Sequence, residues 1–414
     1  MTWCTGVAVL GVLAGCGQAA AALAVGGSRG RVIEVPGLGA LSSGKHGYAR
    51  VNAVSCASAG NCAAGGHYRG RGAGQQGFVA VERHGRWGKA TAVPRLAALN
   101  QGRFAGVVSV SCGSAGNCAV GGYYADADTQ DSQGFVAAEK NGVWGKAVTF
   151  PRGQDGSVDS LFCASAGNCV AGGTAGADYF SSFRGFVAQE RNGRWGKTTG
   201  VPGLAALNRG GAADVSAVSC TSAGNCAAGG YYTGTDAQQG YVVVERNGVW
   251  GTATEVPGLV ALNTGRNAQV NGVSCASAGN CVAGGYYQNS QGLRGFVTVE
   301  RDGRWGTAIA VPGLAALTKP GGQTQVLAVS CARAGRCVVG GSYIDRSGHR
   351  QGFTAAETNG VWGRPVPEPG LAALNKGGSA GVGALSCRRP GACAAGGSYT
   401  GRSGHLEGWV TAGQ

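Results

Sequence analysis

Between residues 215 and 256, apolar and polar positions alternate with the two-residue period of β-strands. Residues 215–220 (VSAVSC) form one strand, with a turn at 221–224. Residues 225–232 (NCAAGGYY) form a second, its side chains small enough for close sheet packing. After a polar loop, 240–246 (GYVVVER) is a third. Asn247-Gly248 is a strong hairpin signal, because both residues tolerate the positive φ of a type I′ turn. Residues 249–256 (VWGTATEV) read as a fourth strand, ended by Pro257-Gly258.

That unit occurs seven times, about every 55 residues. Its anchor is S-C-x-x-x-G-x-C-x-x-G-G, with Phe162 replacing the serine in the third copy. The cysteines pair as Cys56 with Cys62, Cys112 with Cys118, Cys163 with Cys169, Cys220 with Cys226, Cys275 with Cys281, Cys331 with Cys337 and Cys387 with Cys393. Four antiparallel strands per repeat predict an all-β, seven-bladed β-propeller of four-stranded blades. An open β-array or two smaller propellers are the alternatives. The chain ends support a closed ring. The seventh unit stops at Gln414 directly after its third strand, while residues 31–41 (RVIEVPGLGAL) match a fourth strand and its exit, TATEVPGLVAL at 252–262. The N-terminal strand is therefore expected to complete the last blade, giving one domain over 31–414 with no unpaired outer edge.

Each cysteine pair flanks the turn between strands one and two, within disulfide range. Zinc would want four ligands, and each blade offers two thiols with no nearby histidine, so one intrablade disulfide per blade and no metal is expected. Residues 1–24 stand apart. The apolar run at 7–14 (VAVLGVLA) is too short to span a bilayer and suits a signal-peptide core, although no Lys or Arg precedes it. Leu13-Ala14-Gly15-Cys16 matches a lipobox, which predicts cleavage before Cys16 and its lipidation; cleavage in the alanine-rich stretch 19–24 is the alternative. Cys4 leaves with the signal. An extracellular chain, secreted or lipid-anchored to the outer face of the membrane, is consistent with disulfides, which persist in oxidising compartments.

Composition narrows the function. Glycine supplies 81 residues without a G-X-Y period, and apolar residues recur regularly, which excludes collagen and disorder. The net charge of +14 comes from scarce acids, with no basic tract longer than two residues, so no nucleic-acid partner is indicated. The anchor repeat resembles tandem repeats of the S-C-x-S-x-x-x-C-x-A-G-G-Y type in secreted, mostly uncharacterised proteins of high-GC Gram-positive bacteria. It covers nearly all of 31–414 and implies little about function.

The turns joining strands one-two and three-four share one face of such a disc, and here they are monotonous. The loops joining strands two and three share the other face with the inter-blade connections, and they differ in every blade, as binding surfaces built on rigid scaffolds do. Blade two carries Asp126, Asp128 and Asp131 there. Blades five to seven and one carry Arg294, Arg346, His349, Arg350, Arg402, His405, Arg69 and Arg71. This basic sector is the expected site for an anionic envelope polysaccharide or a protein ligand. Disulfide turns and two-residue hairpins are expected to leave little room for a pocket on the opposite face.

Trp87, Trp144, Trp195, Trp250, Trp305 and Trp362 each follow the hairpin turn; they are read as packing between blades, with sugar stacking as the alternative. Glu82, Glu139, Glu190, Glu245, Glu300 and Glu357 recur near the end of strand three and are read as structural. Catalytic carboxylates would be unique and near the channel, which leaves Asp155, Asp159 and Asp214 as the acids to test. The sequence has no nucleophile elbow, zincin motif or phosphate loop, and no cofactor is implied. It is best read as an exported, monomeric, non-catalytic binding module for glycan or protein. A polysaccharide hydrolase or lyase at the channel mouth, and a purely structural or adhesive protein, are the alternatives.

Overall fold

The computed structural model describes residues 31–71, 74–127, 132–151, 155–176 and 184–412. Residues 1–30, with Cys4 and Cys16, lie outside the described residues, as do Asp128 and Asp131. Seven antiparallel sheets follow one another along the chain, each with its strands in sequential order. In blade four the inner three strands are Ala213–Ser222, Asn225–Thr233 and Gln238–Arg246. Asn247 and Gly248 carry φ of 51° and 82°, the positive pair that the hairpin needs.

The outer strand departs from the expected continuous run. It comes in two pieces, Val249–Trp250 and Thr254–Glu255, with a one-residue slip against strand three between them. The slip has a structural cause. Gly251 N–H donates to Val244 O at 2.9 Å, and the chain then turns so that Ala253 N–H reaches Pro202 O of blade three at 2.8 Å. Ala90, Ala147 and Ala308 make the same bond to Pro36, Pro94 and Pro257. A second departure follows each such exit. Residues 259–262 and their equivalents form one-turn helices, six among the described residues, each burying its first leucine (Leu38, Leu96, Leu204, Leu259, Leu314, Leu371). Four residues carry too little periodicity to distinguish a helical turn from a connection.

The first strands ring the axis, each in contact with the first strands of both neighbouring blades. The anchor motif explains how they are joined. The serine before the first cysteine accepts a hydrogen bond from the first-cysteine amide of the next blade: Ser55 from Cys112, Ser111 from Cys163, Ser219 from Cys275, Ser274 from Cys331, Ser330 from Cys387 and Ser386 from Cys56, all at 2.8–3.0 Å. Blade three has Phe162 at this position, and Ser160 two residues earlier accepts from Val218 N–H at 2.8 Å instead. All seven interfaces are therefore latched in the same rotational sense. The first glycine of each pair lets blades approach this closely; a methyl on Gly229 would lie 2.8 Å from Val270 Cγ1 of blade five, while one on Gly230 would lie 2.0 Å from Asp214 O within its own blade.

All seven disulfides form within blades, each joining residues directly opposed across strands one and two. Bonds of this kind belong to an oxidising environment. No helix among the described residues is long and apolar enough to cross a membrane. Ring closure is also as expected: Arg31–Glu34 pairs antiparallel with Leu406–Ala412 in blade seven, in the register Arg31↔Ala412 to Glu34↔Trp409. The hydrophobic clusters straddle adjacent blades and take in Trp144, Trp250, Trp305 and Trp362, while Trp87 Nε1 donates to Thr411 O of blade seven at 3.0 Å. The tryptophans therefore pack between blades.

The recurring glutamates are structural too. All six are buried, and the cation after each of the first five faces the glutamate of the next blade. Arg83 Nη2 lies 3.4 Å from Glu139 Oε1 and donates to Gly142 O at 2.9 Å, and Arg301 stands 4.0 Å from Glu357. Lys140, Arg191 and Arg246 act in the same way on Glu190, Glu245 and Glu300. The ladder ends where its partner does: Thr358 replaces the cation in blade six, and Gly413 stands at the glutamate position of blade seven.

Candidate functional site

Among the described residues, no hydrogen bond joins any two of the eight loop residues of the basic sector. Arg69, Arg71, Arg346, His349 and Arg402 are exposed along the rim, with His405 half-buried beside them. Arg294 is committed to its own surroundings, bonding Gly322 O and, at 3.0 Å, Gln291 O. Asp345 sits inside the sector. Although partly desolvated, it is held below the usual carboxylate range by Gln351 and by the His349 and Ser347 amides. Arg350 alone reaches inward, its Nη1 donating to Ser342 Oγ at 2.9 Å.

The disulfide face also differs from expectation. Clefts of about 330, 260, 200 and 270 Å³ lie there between blades three and four, two and three, four and five, and five and six. Each is bordered by disulfide turns and Asn-Gly-type hairpins of adjacent blades and lined by a recurring glutamate such as Glu190 or Glu300. The tight turns themselves leave no pocket, but the gap between neighbouring blades does.

Residues with distinct chemistry gather at the axis. The first-strand residue six before the first cysteine takes five identities across the seven blades, and each opposes a second-strand residue just after the paired glycines. The pairs, from blade one to seven, are Arg50–His67, Gly106–Tyr123, Ser157–Thr174, Asp214–Tyr231, Gln269–Tyr286, Gln325–Ser342 and Gly381–Ser398. Two residues further on, every first strand slips register against the second. The residue within the slip also varies: Asn52, Val108, Asp159, Ser216, Asn271, Leu327 and Gly383. A β-bulge releases a residue from the ladder and re-aims its side chain, a device common beside functional sites. Most of these positions are half-exposed between neighbours that are fully buried, as channel-facing positions must be. They lie toward the variable face. At the other end Arg388 of blade seven reaches over the axis, its guanidinium donating to Cys56 O and, at 3.2 Å, to Cys112 O.

Asp159 and Asp214, from adjacent blades, are hydrogen-bonded to each other. Ser157 Oγ donates to Asp159 at 2.7 Å and Ser216 Oγ to Asp214 at 2.6 Å. Burial, and then the charge of Asp159, hold the Asp214 carboxyl well above the usual range, and burial raises Asp159 as well. Two facing carboxylates cannot both ionise cheaply, so the pair shares a proton. Burial and these acids push Tyr231 up to about 12. Blades one and two form a different sector, where Tyr48 Oη donates to Gln75 Oε1 and Gln75 Nε2 to Tyr123 Oη, both at 2.8 Å. Burial and then Arg50 lower His67 to about 4, so it is neutral at physiological pH. Arg50 is exposed, yet desolvation lowers its pKa, as expected for a long side chain that projects into a channel walled by neighbouring blades.

These shifts predict an unusual pH profile. Burial raises Glu139, Glu190, Glu245, Glu300 and Glu357, so the folded chain binds more protons than the unfolded one, and stability is lost as pH rises above the ordinary carboxylate value near 4.5. The aspartate pair adds the same sign. His67 opposes it, costing stability as pH falls from 6.5 toward 4. Because five glutamates outnumber one histidine, Tm at pH 5 should equal or exceed Tm at pH 8. Glu300→Gln should raise Tm at pH 8 by about 1–2 °C and leave it unchanged near pH 4. A Tm that climbs steadily from pH 5 to 8 would show that these carboxyls are not desolvated.

No protein-family model matches the sequence, and no curated protein matches it. Solved structures do share its fold. A Dyadobacter fermentans protein of unknown function superposes with a TM-score of 0.52 at 10% identity, covering 93% of this chain and 98% of its own. A PL25 ulvan lyase gives 0.52 at 10%, covering 88% and 94%. The GH74 xyloglucanase of Xanthomonas campestris gives 0.50 at 13%, covering 92% of this chain, which spans only 55% of that enzyme. At such identities the likeness is one of fold: the chain is a seven-bladed, disulfide-stapled β-propeller.

Proposed function

We propose that this chain is an exported glycan-binding propeller whose site is the channel mouth on the variable-loop face. One observation carries the reading. Positions that hold blades together repeat in nearly every unit, whereas the channel-facing positions on the first strands and their bulges differ from blade to blade. Uniform latches suit a scaffold, and a ring of Asp, Arg, Tyr, Gln and Asn side chains suits a ligand rich in hydroxyls. The xyloglucanase and the ulvan lyase of similar fold are named for glycan substrates, which agrees with this reading. Binding is favoured over hydrolysis because Asp159 and Asp214 are in direct hydrogen-bond contact, closer than the roughly 5 Å or more that separates the carboxyls of glycosidases. Lipidation at Cys16 would place the monomer on the outer membrane face, with an envelope polysaccharide as its partner.

A glycan array on the full chain, followed by titration calorimetry on the strongest hit, tests this. Asp159→Ala and Tyr286→Ala should each weaken binding about ten-fold, while charge reversal at the rim residues Arg346 and Arg402 changes it less than about two-fold. The opposite ranking would move the site to the loops. Turnover of the bound polymer would make the chain a hydrolase or lyase.

A further inference from the structure

Blade seven leaves a gap in the channel ring. Its two channel-facing first-strand residues are Gly381 and Gly383, and Ser398 opposes Gly381 across the sheet. Neither glycine is required by the backbone, since neither has positive φ. Packing does not require them either. A methyl on Gly383 would meet nothing nearer than Val51 O at 3.8 Å, and one on Gly381 nothing nearer than Ser342 Cβ at 3.6 Å. Gly106 of blade two is different, because Tyr123 Oη already stands 3.1 Å from where its methyl would be. The space over blade seven is thus open where the fold would accept a side chain.

The blades on either side each present an arginine. Arg50 projects from the first strand of blade one, whose Val51 carbonyl lies over Gly383. Arg350 of blade six donates to Ser342 Oγ at 2.9 Å, and Ser342 packs beside Gly381. Burial above all, and in addition the charge of Arg350, lower the pKa of Arg50, so the two guanidiniums stand within electrostatic reach of each other. Among the described residues no carboxylate is bridged to either, and the aspartate pair belongs to blades three and four. Two like charges flanking an empty slot are unfavourable for the protein alone and become favourable when an anion enters between them.

We propose that the slot over blade seven, between Arg50 and Arg350, binds an oxyanion carried by the glycan, either the carboxylate of a uronic acid or a sulfate ester. The inference rests on the channel-mouth reading above and specifies its ligand as acidic. The aspartate side of the ring then receives hydroxyls, since a second anion there would face Asp159 and Asp214. The acid thus fixes which way round the sugar enters.

The test uses titration calorimetry on the full chain with three probes: hexagalacturonate, its neutral methyl ester, and a sulfated galactan hexasaccharide. Wild type should bind one of the acidic probes at least about ten-fold more tightly than the neutral ester, and the preferred acidic probe distinguishes carboxylate from sulfate. Arg50→Gln and Arg350→Gln should each remove most of that preference, weakening the acidic probe at least about five-fold more than the ester. Gly383→Val should block the acidic probe while Tm stays at the wild-type value, because the slot has room for the side chain. If acidic and neutral probes bind alike and the three variants match wild type, the slot holds no anion and the glycan reading survives. If no glycan on the array and none of the probes binds wild type, both fail.

Discussion

Reducing the native protein with excess dithiothreitol should unfold it or lower its Tm by roughly 20 °C or more. Each disulfide closes a loop with a sequence separation of 6, which by the chain-entropy relation contributes about 2 kcal/mol. Seven such bonds together approach the whole stability of an ordinary domain. They also sit at the channel end of each blade, where the cysteine amides take part in the serine latches, so their loss loosens the ring as well as the blade. Circular dichroism during a thermal ramp, with and without reductant, measures this. A Tm that moves by less than about 5 °C would mean that the serine latches and glutamate ladder hold the fold without the disulfides.

A chain beginning at Tyr48 should aggregate, with a Tm lower by about 10 °C or more. The missing segment pairs with the last strand and buries Val32, Val35 and Leu38, each under 9% exposed. At roughly 2 kcal/mol per buried side chain, these three alone contribute about 6 kcal/mol. It also supplies Pro36 O to Ala90 N–H at 2.8 Å and Glu34 to Tyr399 Oη at 2.6 Å. Without it, Leu406–Ala412 becomes an open edge. A peptide of residues 31–41 added in trans should restore the monomer in light scattering. A truncated chain that stays monomeric at the wild-type Tm would refute closure by this strand.

The scaffold was legible because it is written seven times. Repetition exposed the blades, the disulfides and the split seventh unit, and the recurring Trp and Glu read as structural are structural. Features that occupy few residues were not legible. The leucine turns at 38–41 and its equivalents span one helical turn, and the break at Gly251 depends on an acceptor, Pro202 O, some fifty residues away in sequence. The channel-facing positions on which the proposed site rests were hard to read for another reason. Attention to the loops picked out Arg350 and, among the acids to test, Asp159 and Asp214, but overlooked Arg50, His67 and the tyrosines inside strands. A signal was present: within an otherwise constant strand, the positions four and six before the first cysteine change from blade to blade. Variation at fixed strand positions is harder to notice than variation in loop length, although it places chemistry on a more rigid support.

The serine latch bears on how such a chain can change over time. Every blade but the third offers the same acceptor to one neighbour, and every blade but the fourth the same donor to the other, so the joint between blades two and three is chemically the joint between five and six. Excising or duplicating one complete unit would rejoin matching partners, which makes unequal recombination a permitted route to rings of another size. The glutamate ladder restricts where this can happen. Units one to five are interchangeable donors of a cation, whereas unit six, with Thr358, fits only beside a blade that lacks the carboxylate. The composite seventh blade and its neighbour therefore form a fixed seam, and gain or loss of units is confined to the remaining arc.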